Sequence, residues 1–160
     1  MLYVKRKAFT MIELVFVIVI LGILAAVAVP RFTATRDDAQ VSKGRSDISA
    51  IRSGIVTERQ GRLFRGQNMF ISRLDANVAT NTAGVMLFDN NGSAANTILQ
   101  YGIATGAVNE NGHWIKTGPA TYDYRIMGVS VRFSYVQGTG TFDCAATVVN
   151  NVDYCAILTD

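Results

Sequence analysis

One carboxylate sits where carboxylates are rarely placed. From Phe9 to Val29 the chain is apolar except for Thr10 and Glu13. At mid-membrane depth such a group weakens insertion by up to about 3 kcal/mol, and the cost falls towards the interface. The chemistry open to Glu13 is charge neutralisation. A cut between Ala8 and Phe9 would free an α-amino group four residues before it, and positions i and i+4 share one helix face. Amine and carboxylate could then pair within one subunit, or between subunits stacked by their helices. In an apolar layer a carboxylate strongly favours an opposite charge as partner. The simpler role is to complement the positive end of the helix dipole, worth under about 1 kcal/mol.

Other groups with chemical potential are few. Cys144 and Cys155 are the only two cysteines. In an exported domain an even pair at short spacing reads most simply as a disulfide, and two reduced core cysteines are the alternative. His113 is the only histidine, so a metal site built on it lacks companions. It stands beside Trp114, where a lone histidine is more often a surface or hydrogen-bonded residue than a base. No H-E-x-x-H, G-x-S-x-G or P-loop pattern is present. Gly138-Thr139-Gly140 lacks the strand-to-helix context of a dinucleotide site and reads as a turn. Asp143, Asn150, Asn151 and Asp153 could offer oxygens to calcium, but surface Asn and Asp in loops are far commoner than calcium sites. The chain is not expected to be an enzyme, and no cofactor is implied.

These residues depend on the stretch Lys5 to Pro30. Lys5, Arg6 and Lys7 precede an apolar run long enough to cross a bilayer as a helix. Cations on its N-terminal flank place that end in the cytoplasm and the rest of the chain outside it. The three cations also account for the whole formal net charge of +3; without them basic and acidic residues balance. The basic pI is therefore weak evidence for nucleic-acid binding. A secretory signal cut after Ala26-Val27-Ala28 and a plain signal anchor are competing readings, but neither gives Glu13 a use.

The run K-R-K-A-F-T-M-I-E-L, followed by unbroken apolar sequence, resembles the class III leader of type IV pilins and pseudopilins. The match covers roughly residues 5 to 36. In that family a prepilin peptidase cuts before the Phe on the cytoplasmic side and methylates the new amine. The resemblance implies cleavage between Ala8 and Phe9, N-methylation of Phe9, and Glu13 as the assembly glutamate. The residue before the cut is usually Gly in the family and here is Ala8, the smallest side chain after Gly, so cleavage is expected to survive.

Five segments follow: a leader over 1–8, a membrane and filament-core helix over 9–29, an amphipathic continuation over 30–60, a variable connection over 61–112, and a sheet with a C-terminal disulfide loop over 113–160. Pro30 would interrupt a helix, yet Val41, Ile48, Ile51 and Ile55 recur at helical spacings beyond it. One long helix from about Phe9 to Gln60, kinked near Pro30 and ended by Gly61, would be roughly 78 Å long. Gly22 and Pro30 are tolerated where packed neighbours resatisfy the backbone. The family resemblance implies that this segment loosens on assembly, and a close helix–helix contact at Gly22 is the other reading. The run Asp89 to Ser93 reads as a turn. It also carries a sequon at Asn91 that resembles some bacterial glycosylation sites.

From His113 the pattern changes to period two. Tyr122, Tyr124 and Ile126, then Val129, Val131, Phe133 and Tyr135, alternate with polar residues. Met127-Gly128 and Gln137-Gly138 read as turns. Gly140–Ala146 and Tyr154–Leu158 read as two more strands carrying the cysteines. The expected fold is α+β: a long helix packed on a C-terminal antiparallel sheet of about four strands, as in pilins.

The expected function is a structural subunit of a type IV filament, first a pseudopilin of a type II secretion system, with a pilin or minor DNA-uptake pilin as the alternative. A membrane-anchored binding module is the remote one. Expected partners are other pilin-like subunits, prepilin peptidase, the inner membrane and its assembly platform and ATPase. Expected localisation is the bacterial inner membrane as precursor, then a periplasmic or extracellular filament. Nine basic residues against five acidic over 31–75, and three against six from 76 onward, suit surfaces that steer subunits into register. Interspersed Asp37, Asp38, Asp47 and Glu58 argue against a phosphate-binding stripe.

Overall fold

The computed structural model describes residues 9–89 and 98–160, and for Pro30, Thr33 and Ala34 the backbone alone. Ala8 and the sequon at Asn91 lie outside these residues. The chain forms two compact units, residues 1–36 and 37–160.

Helix α1 (Met11–Phe64) runs through the unit boundary, and its backbone stays helical through Pro30. It ends past Gly61, the expected terminator. Gly66 adopts φ +75°, its N–H donates to the Leu63 carbonyl at 3.0 Å, and the Gln67 N–H donates to the Arg62 carbonyl at 2.9 Å. This paired closure needs a left-handed residue, which glycine takes without a Cβ penalty. Gly61 keeps the helical conformation, so the helix passes it.

Within the second unit, α1 buries Ile48, Ile51 and Ile55, a stripe at the three- and four-residue spacing that one helix face requires. The connection after α1 is less irregular than its composition suggests. It contains β1 (Met86–Leu87) and β2 (Ile103–Ala104), paired antiparallel. It also sends Ile71, Leu74, Leu87, Phe88 and Ile98 into the core.

The main sheet has four antiparallel strands in the order β3 (Trp114–Gly118), β4 (Thr121–Ile126), β5 (Val129–Val136) and β6 (Thr141–Cys144). The α+β architecture is the expected one. Alternation decides which face is buried: Tyr122, Tyr124, Ile126, Val131, Phe133 and Tyr135 point into the core. The β4–β5 reversal uses Met127 at φ 50° and Gly128 at φ 80°, the left-handed pair of a tight hairpin. The β5–β6 reversal is longer than Gln137-Gly138 and closes where the Gly140 N–H donates to the Val136 carbonyl at 2.8 Å.

The expected strand at Tyr154–Leu158 is a helix, α2 (Tyr154–Thr159). Asp153 caps it by accepting from the Cys155 N–H at 2.9 Å, satisfying a donor that a helix start leaves open. Cys155 and Leu158 are both buried, and their spacing of three brings them to one helix face, whereas in a strand it would part them. The fourth strand is instead Trp114–Gly118. Between β6 and α2 lies a small hairpin, β7 (Val148–Val149) and β8 (Val152–Asp153).

Aromatic packing fills the space between helix and sheet. Trp114 meets Phe133 at 5.3 Å and Tyr124 at 4.9 Å between ring centroids, and Phe133 stacks on Phe142 at 5.3 Å. Polar tips tie these rings to α1: the Trp114 indole N–H donates to Asp47 at 3.0 Å, and the Tyr124 hydroxyl donates to the Gln40 carbonyl at 2.7 Å. Burial raises the Asp47 carboxyl above its usual range, against the opposing pull of that indole bond and of Lys43 and His113. The close approach requires Gly44, where a Cβ would stand 2.5 Å from the Tyr124 ring and 2.8 Å from Leu158.

Candidate functional site

The start of α1 is where the sequence placed its chemistry. Thr10 precedes the first helical residue and Glu13 lies in the first turn. The Thr10 hydroxyl accepts from the Glu13 N–H at 3.3 Å, while the Glu13 carboxylate accepts from the Thr10 N–H and from its hydroxyl, both at 3.4 Å. This reciprocal arrangement is a capping box. It folds Glu13 back towards the N-terminal end of the helix, one residue from Phe9. The sequence signal for Thr10 in this role is T-x-x-E ahead of an apolar run.

Met11–Val29 form a span of 19 residues with mean hydropathy 3.0, long and apolar enough to cross a membrane, and none of it is buried inside the protein. An apolar helix exposed on all sides needs lipid or other helices around it. A Cβ at Gly22 would meet nothing within 4 Å, so among the described residues no neighbour closes on it.

The other candidates are dispersed. Cys144 and Cys155 form a disulfide with 5.9 Å between Cα atoms. His113 is paired with Glu110 at 3.4 Å, one residue before β3. Asp143 accepts from Arg52 at 2.9 Å, and Asp153 from the backbone of Thr147 and Cys155. Asn150 and Asn151 take φ 50° and 65° to make the β7–β8 turn. Thus two of the four candidate calcium ligands, Asp143 and Asp153, already accept hydrogen bonds within the protein. Among the described residues no group of three or more His, Cys, Asp or Glu is placed to hold a metal.

A polar constellation absent from the sequence reading lies in the core. Asp75 accepts from Lys116 at 2.8 Å, from the Tyr122 hydroxyl at 2.5 Å and from the Val78 N–H at 3.1 Å. The Asp75 and Lys116 side chains are 0% and 4% exposed. A buried pair survives when its remaining polar capacity is satisfied, as the tyrosine and backbone donors do here. Burial, the hydrogen bond to Asp75 and its charge push the Tyr122 hydroxyl far above its usual range. Nothing in local spacing marks Asp75 and Lys116 as partners 41 residues apart.

The prokaryotic N-terminal methylation motif family matches residues 4–29. Over 49 residues the chain is 49% identical to the type IV narrow pilus major component PilA5 of Thermus thermophilus, covering 31% of this chain and 42% of that one. It is 43% identical over 51 residues to the type II secretion system core protein G of Pseudomonas aeruginosa, covering 32% and 36%. The type IV major fimbrial protein FimA of Dichelobacter nodosus is 35% identical over 91 residues, 56% of each chain. The matched stretch thus spans from about a third to just over half of these relatives. No solved structure matches.

Proposed function

We propose, on the premise that the chain belongs through its N-terminal segment to the type IV pilin and pseudopilin family, that it is a structural subunit of a type IV filament. The observation that carries this reading is the apolar helix Met11–Val29, wholly exposed within its own chain. Lipid covers such a surface before assembly and the helices of other subunits cover it afterwards. The precursor is held in the inner membrane, and prepilin peptidase cuts it between Ala8 and Phe9 and methylates the new amine. The assembly platform and its ATPase then draw it into a periplasmic or extracellular filament.

Glu13 neutralises the Phe9 amine of a neighbouring subunit. The capping geometry turns the carboxylate towards the start of its own helix, and assembly has to bring the neighbouring subunit's amine to that point. Transfer of the carboxylate into an apolar filament core costs several kcal/mol unless a cation meets it there, so pairing selects one register. Gly22 and Pro30 let the apolar segment pack closely or loosen during that transfer.

Within the class, a pseudopilin of a type II secretion system is the first reading. A pilin is the second, and the relatives include both kinds. Deleting the gene separates them: loss of secreted proteins with surface pili intact supports the pseudopilin, and the reverse supports the pilin. The test of the shared reading is the mature N-terminus together with Glu13→Ala. Sequencing should find Phe9, methylated. The variant should stay folded and membrane-held, with no filament incorporation. Residue 29 at the mature N-terminus, or normal incorporation of the variant, would sink the reading.

A further inference from the structure

We infer that Lys116 and Asp75 condense into an intramolecular amide (isopeptide) bond in the folded unit, with Tyr122 as the proton relay. The bond closes within one subunit, whether or not that subunit enters a filament.

Three groups that such a condensation needs meet in one buried place. The Lys116 Nζ stands 2.8 Å from Asp75 Oδ1, and the Tyr122 hydroxyl donates to Oδ2 at 2.5 Å. Lys116 on β3 and Tyr122 on β4 are directly opposite in the sheet, so their side chains leave the same face. The third member is held from both sides. The Val78 N–H donates to Asp75 Oδ1 at 3.1 Å, and the Asn81 N–H donates to the Lys116 carbonyl at 2.8 Å. An amine within bonding distance of one carboxyl oxygen is a small shift from the carbon between the two oxygens. Groups held in this way react as if at very high concentration. Other ion pairs, such as Arg52–Asp143 and Arg132–Asp123, use a guanidinium with at least one partner well exposed. A guanidinium stays charged, whereas an amine becomes a nucleophile once it gives up a proton.

The step balances as a loss of water. The ammonium loses two protons and the carboxylate loses one oxygen. Tyr122 gives its proton to Oδ2 and recovers one from Nζ, and a second Nζ proton follows by the same exchange. The Nζ lone pair forms the new bond to Cγ, the Cγ–Oδ2 bond breaks, and Oδ2 departs as water. Oδ1 remains as the amide oxygen, with the Val78 N–H still placed to donate to it. Burial foremost, then the bond and charge of Asp75, keep the Tyr122 hydroxyl protonated, so it begins as a donor. No oxidant, reductant or activated co-reactant is required.

Burial also supplies the direction. Both side chains are shut away from water, where two charges are costly even when paired. The amide removes both charges, and the sealed site keeps out the water that would reverse the step. The product ties the connection after α1 to β3 across 41 residues, a stretch that contains β1 and β2. Closing a loop of that length restricts the unfolded chain more than the short Cys144–Cys155 loop does.

The test is peptide mapping of full-length protein isolated from membranes. No Lys or Arg lies between Arg73 and Lys116, and Arg125 is the next after Lys116. Trypsin does not cut at an acylated lysine, so the bonded protein should give Leu74–Arg125 lighter by one water. Fragment ions should place that loss on a link between Asp75 and Lys116. Lys116→Arg keeps a charge beside Asp75 and should restore cutting at 116 with no water lost. Tyr122→Phe keeps both reacting groups and should lower the joined fraction at least tenfold at a fixed time after synthesis. Wild-type protein that yields Leu74–Lys116 and Thr117–Arg125 at full mass overturns the bond, and this readout stands even where a variant fails to fold. Equal joined fractions in wild type and Tyr122→Phe overturn the relay.

Discussion

The two halves of α1 share one backbone and differ in what their side chains meet. From Met11 to Val29 every side chain except Glu13 is apolar, and none of the span is buried. From Gln40 onward a single stripe is buried by the sheet, with charges elsewhere. The first half is unburied and can exchange one apolar environment for another. The second half is committed to rings and hydroxyls that only this fold supplies. A subunit that must leave a membrane and enter a filament needs both: a span indifferent to which apolar surface surrounds it, and a folded unit that arrives intact.

Alkaline titration should break the folded unit most completely while sparing the span. Burial raises the hydroxyls of Tyr122, Tyr124 and Tyr135, the last to about 12. A group whose folded value is raised contributes stability that is full below its unfolded value and lost as pH rises through the folded one. Tyrosine begins from 10.0. Circular dichroism should therefore show the sheet region stable below pH 10 and unfolding as pH approaches 12, with the apolar helix still extracted only by detergent.

The next effect in size belongs to the buried pair. Asp75→Ala strands Lys116 without its counter-charge, and breaking a buried pair this way costs about 3–5 kcal/mol. Urea unfolding of the folded unit would register it. Replacing both Cys144 and Cys155 by Ser should cost about 2–3 kcal/mol, because the closed loop is short. It should also raise amide exchange in the β7–β8 hairpin more than in β4. Gly44→Ala is expected to be smallest, about 1–3 kcal/mol of overpacking against Tyr124 and Leu158. Gly22→Ala, on the exposed half of the same helix, should leave unfolding unchanged. Equal effects of these two glycine substitutions would erase the contrast between the halves.

Much of this was legible in residue patterns. Period-two alternation around Tyr122 and Val131 identified β4 and β5, and the isoleucine spacing identified the buried face of α1. Where the sequence misled, a local competitor had won. Tyr154–Leu158 is an apolar run of strand length, but an Asp cap and an i, i+3 buried pair make it a helix. Gly61 resembled a terminator, yet the left-handed closure fell at Gly66. At the candidate site, Glu13 stood out because a carboxylate is costly in an apolar run. Thr10 was overlooked because a lone hydroxyl there costs little.

The sequence by itself determined the N-terminal pattern: a basic flank, Glu13, and an apolar run that needs no fold to be read, since transfer from water depends on composition and length. Tertiary structure alone decided what the remainder does with its polar groups. It joined Asp75 to Lys116 and Tyr122, seated Trp114 on Asp47, and left the valines of the β7–β8 hairpin and Phe64 exposed. Those placements depend on which distant segments the fold brings within bonding distance, and on which apolar groups it leaves uncovered. Neither is encoded in local spacing.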